Sequence, residues 1–221
     1  MTAQVTSLKQ RLNTISQRLK TTANATSPKL IAVSKQQADA RIAEALEAGV
    51  TVFGENRVQE AQTRWADTFA ARRSGLELHL IGPLQSNKTA QACALFDVIH
   101  TLDRPSLAKA FAKHRDAGHE LPGILVQVNT GEEPQKSGVL PGDLSQFLAS
   151  MDKDYGLTIK GLMCIPPVAE APSAHFMLLR ELARDHGLSE LSMGMSGDYD
   201  IATELGATSV RVGSALFGAR G

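Results

Sequence analysis

Short, wholly apolar runs recur along this chain, and each is followed by a longer stretch with apolar residues at helical spacing. The first stripe is Leu8, Leu12, Ile15 and Leu19, within a helix expected over Val5–Leu19. Turn chemistry from Asn24 to Pro28 ends it. Leu30-Ile-Ala-Val33 has no polar face, as expected of a parallel strand covered on both sides. A helix over Asp39–Ala48 follows, closed by Gly49. The alternation then repeats. Further strands are expected at Thr51–Phe53, Leu78–Ile81, Val98–His100, Ile124–Val128, Ile159–Met163, Glu190–Met193 and Ser209–Val212. Further helices are expected over Val58–Ala71, Asn87–Leu95, Ser106–Ala117, Leu144–Met151, Ser173–His186 and Asp200–Leu205. This pattern predicts an α/β fold, a closed (β/α)8 TIM barrel with an extra N-terminal helix. An open, doubly wound sheet is the rival, and it would leave some of these units without a place. No Pro/Gly/Ser-rich linker divides the alternation, so residues 1–221 read as one domain.

Charge narrows the partners. Lysine plus arginine and aspartate plus glutamate number 23 each, for a formal net charge of zero. Nothing in that balance drives nucleic-acid binding. The N-terminus is polar and lacks an apolar signal core. No apolar window is long enough to span a bilayer. The expectation is a cytoplasmic protein with neither a membrane nor a nucleic-acid partner. Cys93 and Cys164 are far apart and read as buried thiols in a reducing compartment.

The candidate chemistry sits at strand ends. Lys35 follows the first strand, where a side chain points over the barrel mouth and partial desolvation makes an amine nucleophilic. An ordinary solvated lysine is the plain alternative. Ser196 and Gly197 follow the seventh strand, and Gly213 and Ser214 follow the eighth. A hydroxyl beside backbone amides in a tight turn supplies the converging donors that phosphate needs. Ser214-Ala-Leu-Phe217 can open a short helix aimed at the same anion. The competing explanation is that these glycines relieve crowding in turns. Arg211, between two valines of the last strand, either reaches a ligand or pairs with a carboxylate inside the barrel. Glu55 and Asn56 can orient Lys35 or the ligand. His79 reads as a hydrogen-bonded interior histidine. No metal is expected, because ligand spacing is missing. Met163, Met193 and Met195 read as core or lip fillers. A phosphate cradle opposite one strand-end amine points to a phosphorylated aldehyde held as a Schiff base, and so to pyridoxal 5'-phosphate (PLP).

Several motifs carry a family resemblance over essentially the whole chain. They are Ala32-Val-Ser-Lys35, Phe53-Gly-Glu-Asn56, His79-Leu-Ile-Gly82 with Gln85 and Asn87-Lys88, Val128-Asn129 with Lys136-Ser-Gly138, Gly161-Leu-Met163, Leu191-Ser-Met-Gly-Met-Ser196, and Arg211-Val-Gly213 with Phe217-Gly218. Through them the chain resembles the pyridoxal-phosphate homeostasis proteins, also called the proline synthetase co-transcribed family. That family is similar to the N-terminal barrel of alanine racemase, a fold-type III PLP-binding structure. The resemblance implies that Lys35 forms the internal aldimine and that Ser196, Gly213 and Ser214 hold the phosphate. It implies that Arg211 faces the pyridine nitrogen, and that Asn56 and Met193 line the pocket. A cation opposite that nitrogen disfavours its protonation and makes the ring a poorer electron sink. Alanine racemase adds a β-rich C-terminal domain and a tyrosine from its partner subunit. This chain ends at Gly221 after the barrel, and neither Tyr155 nor Tyr199 matches that second base. The implied function is intracellular PLP homeostasis without established turnover; the carrier reading of it expects a monomer that hands PLP to apo-enzymes. The alternatives are a weak racemase or lyase acting on small amino acids, with Glu132, Lys136, Tyr199 or Lys88 as proton source, and a lysine-dependent aldolase-like barrel for a phosphosugar.

Overall fold

Parallel strands buried on both faces can avoid exposed edges only by closing into a ring, and this chain does so. The computed structural model describes residues 7–23 and 26–218. Its strands are β1 (Lys29–Val33), β2 (Val52–Glu55), β3 (Glu77–Leu80), β4 (Val98–Leu102), β5 (Gly123–Val128), β6 (Gly161–Cys164), β7 (Glu190–Met195) and β8 (Ser209–Val212). They pair in sequential order and form a closed barrel. β8 returns to β1 with Ile31 opposite Arg211, while Ala32 on the other edge of β1 faces Phe53. Closure in chain order excludes the open sheet. It also makes β7, β8, β1 and β2 neighbours, so that residues far apart in sequence meet at one mouth.

The barrel wall is helical. α1 (Leu8–Thr22) precedes the barrel, and a capping box fixes its start: Ser7 Oγ accepts from Gln10 N at 3.2 Å and Gln10 Oε1 accepts from Ser7 N at 2.9 Å. Val5, placed in this helix from sequence, and Asn24, placed in the turn after it, lie outside the described residues. The remaining helices are α2 (Asp39–Glu47), α3 (Val58–Ala61), α4 (Thr89–Leu95), α5 (Pro105–Asp116), α6 (Leu144–Lys153), α7 (Pro172–Asp185), α8 (Tyr199–Glu204) and α9 (Ser214–Phe217). Gly49 and Gly206 end their helices at φ 92° and 93°, a conformation that favours glycine. No helix among the described residues is long and apolar enough to cross a membrane.

One expected helix is wrong in kind. The stretch Val58–Ala71 is α-helical only to Ala61; Gln62–Thr68 is a π-helix and Ala70–Gly75 a 3₁₀ helix. The widened stretch carries two consecutive residues, Arg64 and Trp65, that both donate to Glu55. Wide turns of this kind recur where a helix serves a site.

The barrel floor carries its own charge cluster. Glu77 accepts from Lys29 Nζ at 2.7 and 2.8 Å and lies 2.9 Å from His79 Nε2. The hydrogen bond from His79 first, and that from Lys29, hold its carboxyl down to about 2 from an ordinary 4.5. A depressed folded-state value means that the ionised carboxylate stabilises the fold above about 4.5, and that this contribution fades as pH falls towards 2. Urea midpoints should therefore separate Glu77→Gln from the parent at neutral pH and converge in acid. The thiols are quiet by contrast. Burial pushes Cys93 and Cys164 up to about 12, although Cys93 is only partly covered rather than buried as expected.

Candidate functional site

Lys35 stands on a braced turn. After β1 the chain folds back over Ser34–Gln37, with Gln37 N donating to Ser34 O at 3.1 Å. Gln36 adopts φ 57°, a left-handed conformation that costs a non-glycine residue roughly 1–2 kcal/mol. The surroundings hold it there. Arg64 Nη1 donates to Ser34 O at 3.1 Å and Nη2 to Gln37 O at 2.8 Å, so one guanidinium ties both ends of the turn. The same Nη1 reaches Glu55 Oε1 at 2.7 Å, which also accepts from Ser34 Oγ at 2.7 Å and Trp65 Nε1 at 3.1 Å. Glu55 is fully buried. Glu55, expected to orient Lys35 or the ligand, accepts from Ser34 Oγ and Arg64 at the turn that carries Lys35. Lys35 itself is half-buried, and its amine has no hydrogen bond or ion pair among the described residues.

Across the mouth, two loops are joined by one hydroxyl. Ser196 Oγ accepts from Gly213 N at 3.1 Å and from Ala215 N at 3.2 Å. Its own turn is closed by Asp198, whose Oδ1 accepts from Met195 N at 2.6 Å. The far end of α9 is also held. Arg11 Nε donates to Leu216 O at 2.6 Å, and Arg41 Nη2 donates to Phe217 O. Cations there complement the helix dipole. Crowding does not explain the cradle glycines. A Cβ on Gly197 would meet nothing within 4 Å, one on Gly213 would stand at an ordinary 3.5 Å from Val33, and neither takes a positive φ. Gly194 differs: it has φ 89°, and its Cβ would strike Ala202 at 2.5 Å.

These groups share a cavity of about 310 Å³, lined among others by Lys35, Asn56, Ser196, Gly197, Arg211, Gly213 and Ser214. Met193 is a correction. It is fully buried in the hydrophobic core and is not part of the lining; Met195 takes that place. Gln37, Ile81 and Ile165 also line the cavity and were missed. Ile81 and Ile165 are each the first residue after a strand, which is the signal that could have found them. Glu132, Lys136, Lys88 and Tyr199 are not in the lining. The Tyr199 hydroxyl instead lies 3.4 Å from Arg18 Nη1 of α1.

Arg211 is 3% exposed, and desolvation pulls its pKa down from 12.5. Among the described residues no carboxylate bonds it, contrary to the paired alternative. Nη1 donates to Ser192 Oγ at 2.6 Å and Nη2 to Cys164 O at 2.8 Å, leaving further guanidinium N–H groups for the cavity. Asn56 is set by close packing, since a Cβ on Gly82 would stand 2.3 Å from Asn56 O. Gly82→Ala should displace Asn56 and weaken ligand retention, read by equilibrium dialysis, with a stability loss of roughly 1–3 kcal/mol from overpacking.

A free amine, a donor-rich turn pair and a buried guanidinium around one cavity define a barrel-mouth site suited to a small phosphorylated carbonyl compound. The chain belongs to the alanine racemase N-terminal domain family, whose model matches residues 6–221, and within it to the pyridoxal phosphate homeostasis proteins. The pyridoxal phosphate homeostasis protein of Pseudomonas aeruginosa is 43% identical over 196 residues, 86% of this chain and 84% of that one. PipY of Synechococcus elongatus, solved with PLP bound, is 36% identical with a TM-score of 0.82, covering 96% of this chain and 100% of its own. Alanine racemase of Clostridium difficile shares the fold at 14% identity, with a TM-score of 0.73 over 98% of this chain and 57% of its own.

Proposed function

We propose that this protein binds PLP at the barrel mouth through Lys35 and serves PLP homeostasis as a carrier rather than a catalyst. The observation that carries this reading is the unpaired Lys35 amine opening into the same cavity as Ser196, Ser214 and Arg211. The PLP-bound relative supports it. PLP supplies an aldehyde that condenses with an amine, an anionic phosphate and a pyridine nitrogen. Lys35 is the amine. Ser196, Gly197, Gly213 and Ser214 form the phosphate cradle, with hydroxyls and backbone amides as donors and the Gly213 amide tying its loop to Ser196 Oγ. Arg211 directs N–H donors at the ring nitrogen, and a permanently charged donor there keeps that nitrogen unprotonated. Asn56 and Met195 close the wall. The carrier reading is supported by the lining, which among the described residues holds no tyrosine and no carboxylate to act as a second base. Apo-enzymes in the cytoplasm are the acceptors, and the carrier works as a monomer.

Borohydride reduction of the PLP-loaded protein, followed by peptide mapping, should label Lys35. Label at another lysine, or none, would refute the assignment. Transfer of PLP to an apo-enzyme should outpace release into solution, and Cα-deuterium exchange of added amino acids should stay at background.

A further inference from the structure

Behind the cavity, an unbroken line of polar groups crosses the barrel interior. Arg211 of β8 donates through Nη1 to Ser192 Oγ of β7 at 2.6 Å. Ser192 Oγ lies 2.8 Å from His100 Nδ1 of β4. His100 Nε2 lies 2.7 Å from His79 Nδ1 of β3, and His79 Nε2 lies 2.9 Å from Glu77 Oε1 on the floor. Arg211, Ser192, His100 and His79 are all buried. Polar groups so placed are tolerated only when each donor meets an acceptor.

The two ends dictate the direction. Arg211 can only donate, and the ionised Glu77 can only accept. His79 therefore carries its hydrogen on Nε2, facing Glu77. Desolvation holds His100 well below its ordinary 6.5, which favours a neutral ring with one hydrogen. With that hydrogen on Nε2, His100 donates to His79 Nδ1 and the line keeps one direction. His100 Nδ1 then accepts from the Ser192 hydroxyl, whose oxygen accepts from Arg211. Every hydrogen points from the cavity to the floor, and no polar atom in the line is left over. Any extra proton on the imidazoles would reverse the line and leave the Ser192 hydroxyl hydrogen without an acceptor.

We propose that Ser192, His100, His79 and Glu77 are positioning residues for Arg211, forming a one-way hydrogen-bond chain that fixes its guanidinium against the ring nitrogen of PLP. This rests on the PLP-binding reading above. Cys164 O anchors the other Nη, so loss of the Ser192 hydroxyl leaves a single anchor and lets the planar fork turn.

The test uses the full-length protein. Nitrogen NMR of histidine-labelled, ligand-free protein at pH 7 should show both imidazoles neutral, with the hydrogen on Nε2 in each. A hydrogen on His100 Nδ1 would overturn the direction and the proposal with it. Ser192→Ala should weaken PLP binding about ten-fold, the loss typical of a hydrogen bond to a charged group. Its affinity for the 1-deaza analogue, which has a C–H in place of the ring nitrogen, should change by less than about two-fold. Ser192→Thr should restore PLP binding. Equal losses for PLP and the analogue, or no rescue by threonine, would mark Ser192 as merely structural. Glu77→Leu, at the partly exposed floor, keeps the test open if the serine variants misfold; it should mix the histidine tautomers and weaken PLP but not the analogue. Borohydride labelling of Lys35 in the parent separates the two readings. If PLP fails to bind there, the site assignment is wrong; if it binds and the variants behave as the parent, only the chain is wrong.

Discussion

Lys35→Ala should lose all borohydride-fixed incorporation of PLP while keeping its fold. The side chain makes no bond among the described residues, so its removal should shift stability by no more than about 0.5 kcal/mol. The phosphate loops and Arg211 do not depend on it. PLP should still bind, but without the covalent linkage, and should be lost on gel filtration. Lys35→Arg keeps the cation but cannot condense, so it should behave like the alanine variant. Retention of reducible PLP by either variant would show that another amine does the work. Absorbance of the desalted protein, read beside thermal unfolding, checks both halves of the expectation.

Arg64→Met carries the largest stability cost expected. It strands the fully buried Glu55 carboxylate, and breaking a buried ion pair from one side costs about 3–5 kcal/mol. It also unties Ser34 O and Gln37 O, the two ends of the Lys35 turn. The two effects separate in a double variant. Glu55→Leu with Arg64→Met removes both charges, and such replacements are often neutral for stability. The turn, however, stays untied. The double variant should therefore regain most of its urea midpoint but still capture PLP more slowly than the parent. Full recovery of capture would limit Arg64 to a structural role.

Much of this was legible in the chain because a parallel barrel is written in local patterns. Apolar runs such as Leu30–Val33 and Ile124–Val128 give their strands away, and turn residues at their ends place Lys35, Ser196 and Gly213 at the mouth. What was misread depends on geometry that spacing does not encode. Met193 was placed in the pocket by the family resemblance, whereas the barrel core buries it and Met195, where the register to β8 shifts, lines the cavity instead. The helix over Val58–Ala71 kept its apolar period, but the i→i+5 bonding of Gln62–Thr68 leaves no compositional trace. Ser192 and His100 looked unremarkable because their partners lie across a closed ring, and contacts of that kind exist only once β8 has met β1.

The grip of Arg11 on Leu216 O joins the leading helix to the segment after the last strand. On the proposed site, retention of the phosphate would therefore be tied to residues outside the cavity lining. Deleting the first helix should quicken PLP escape even if the barrel still closes, and comparisons of retention between homologues should take their N-terminal segments into account as well as their pockets.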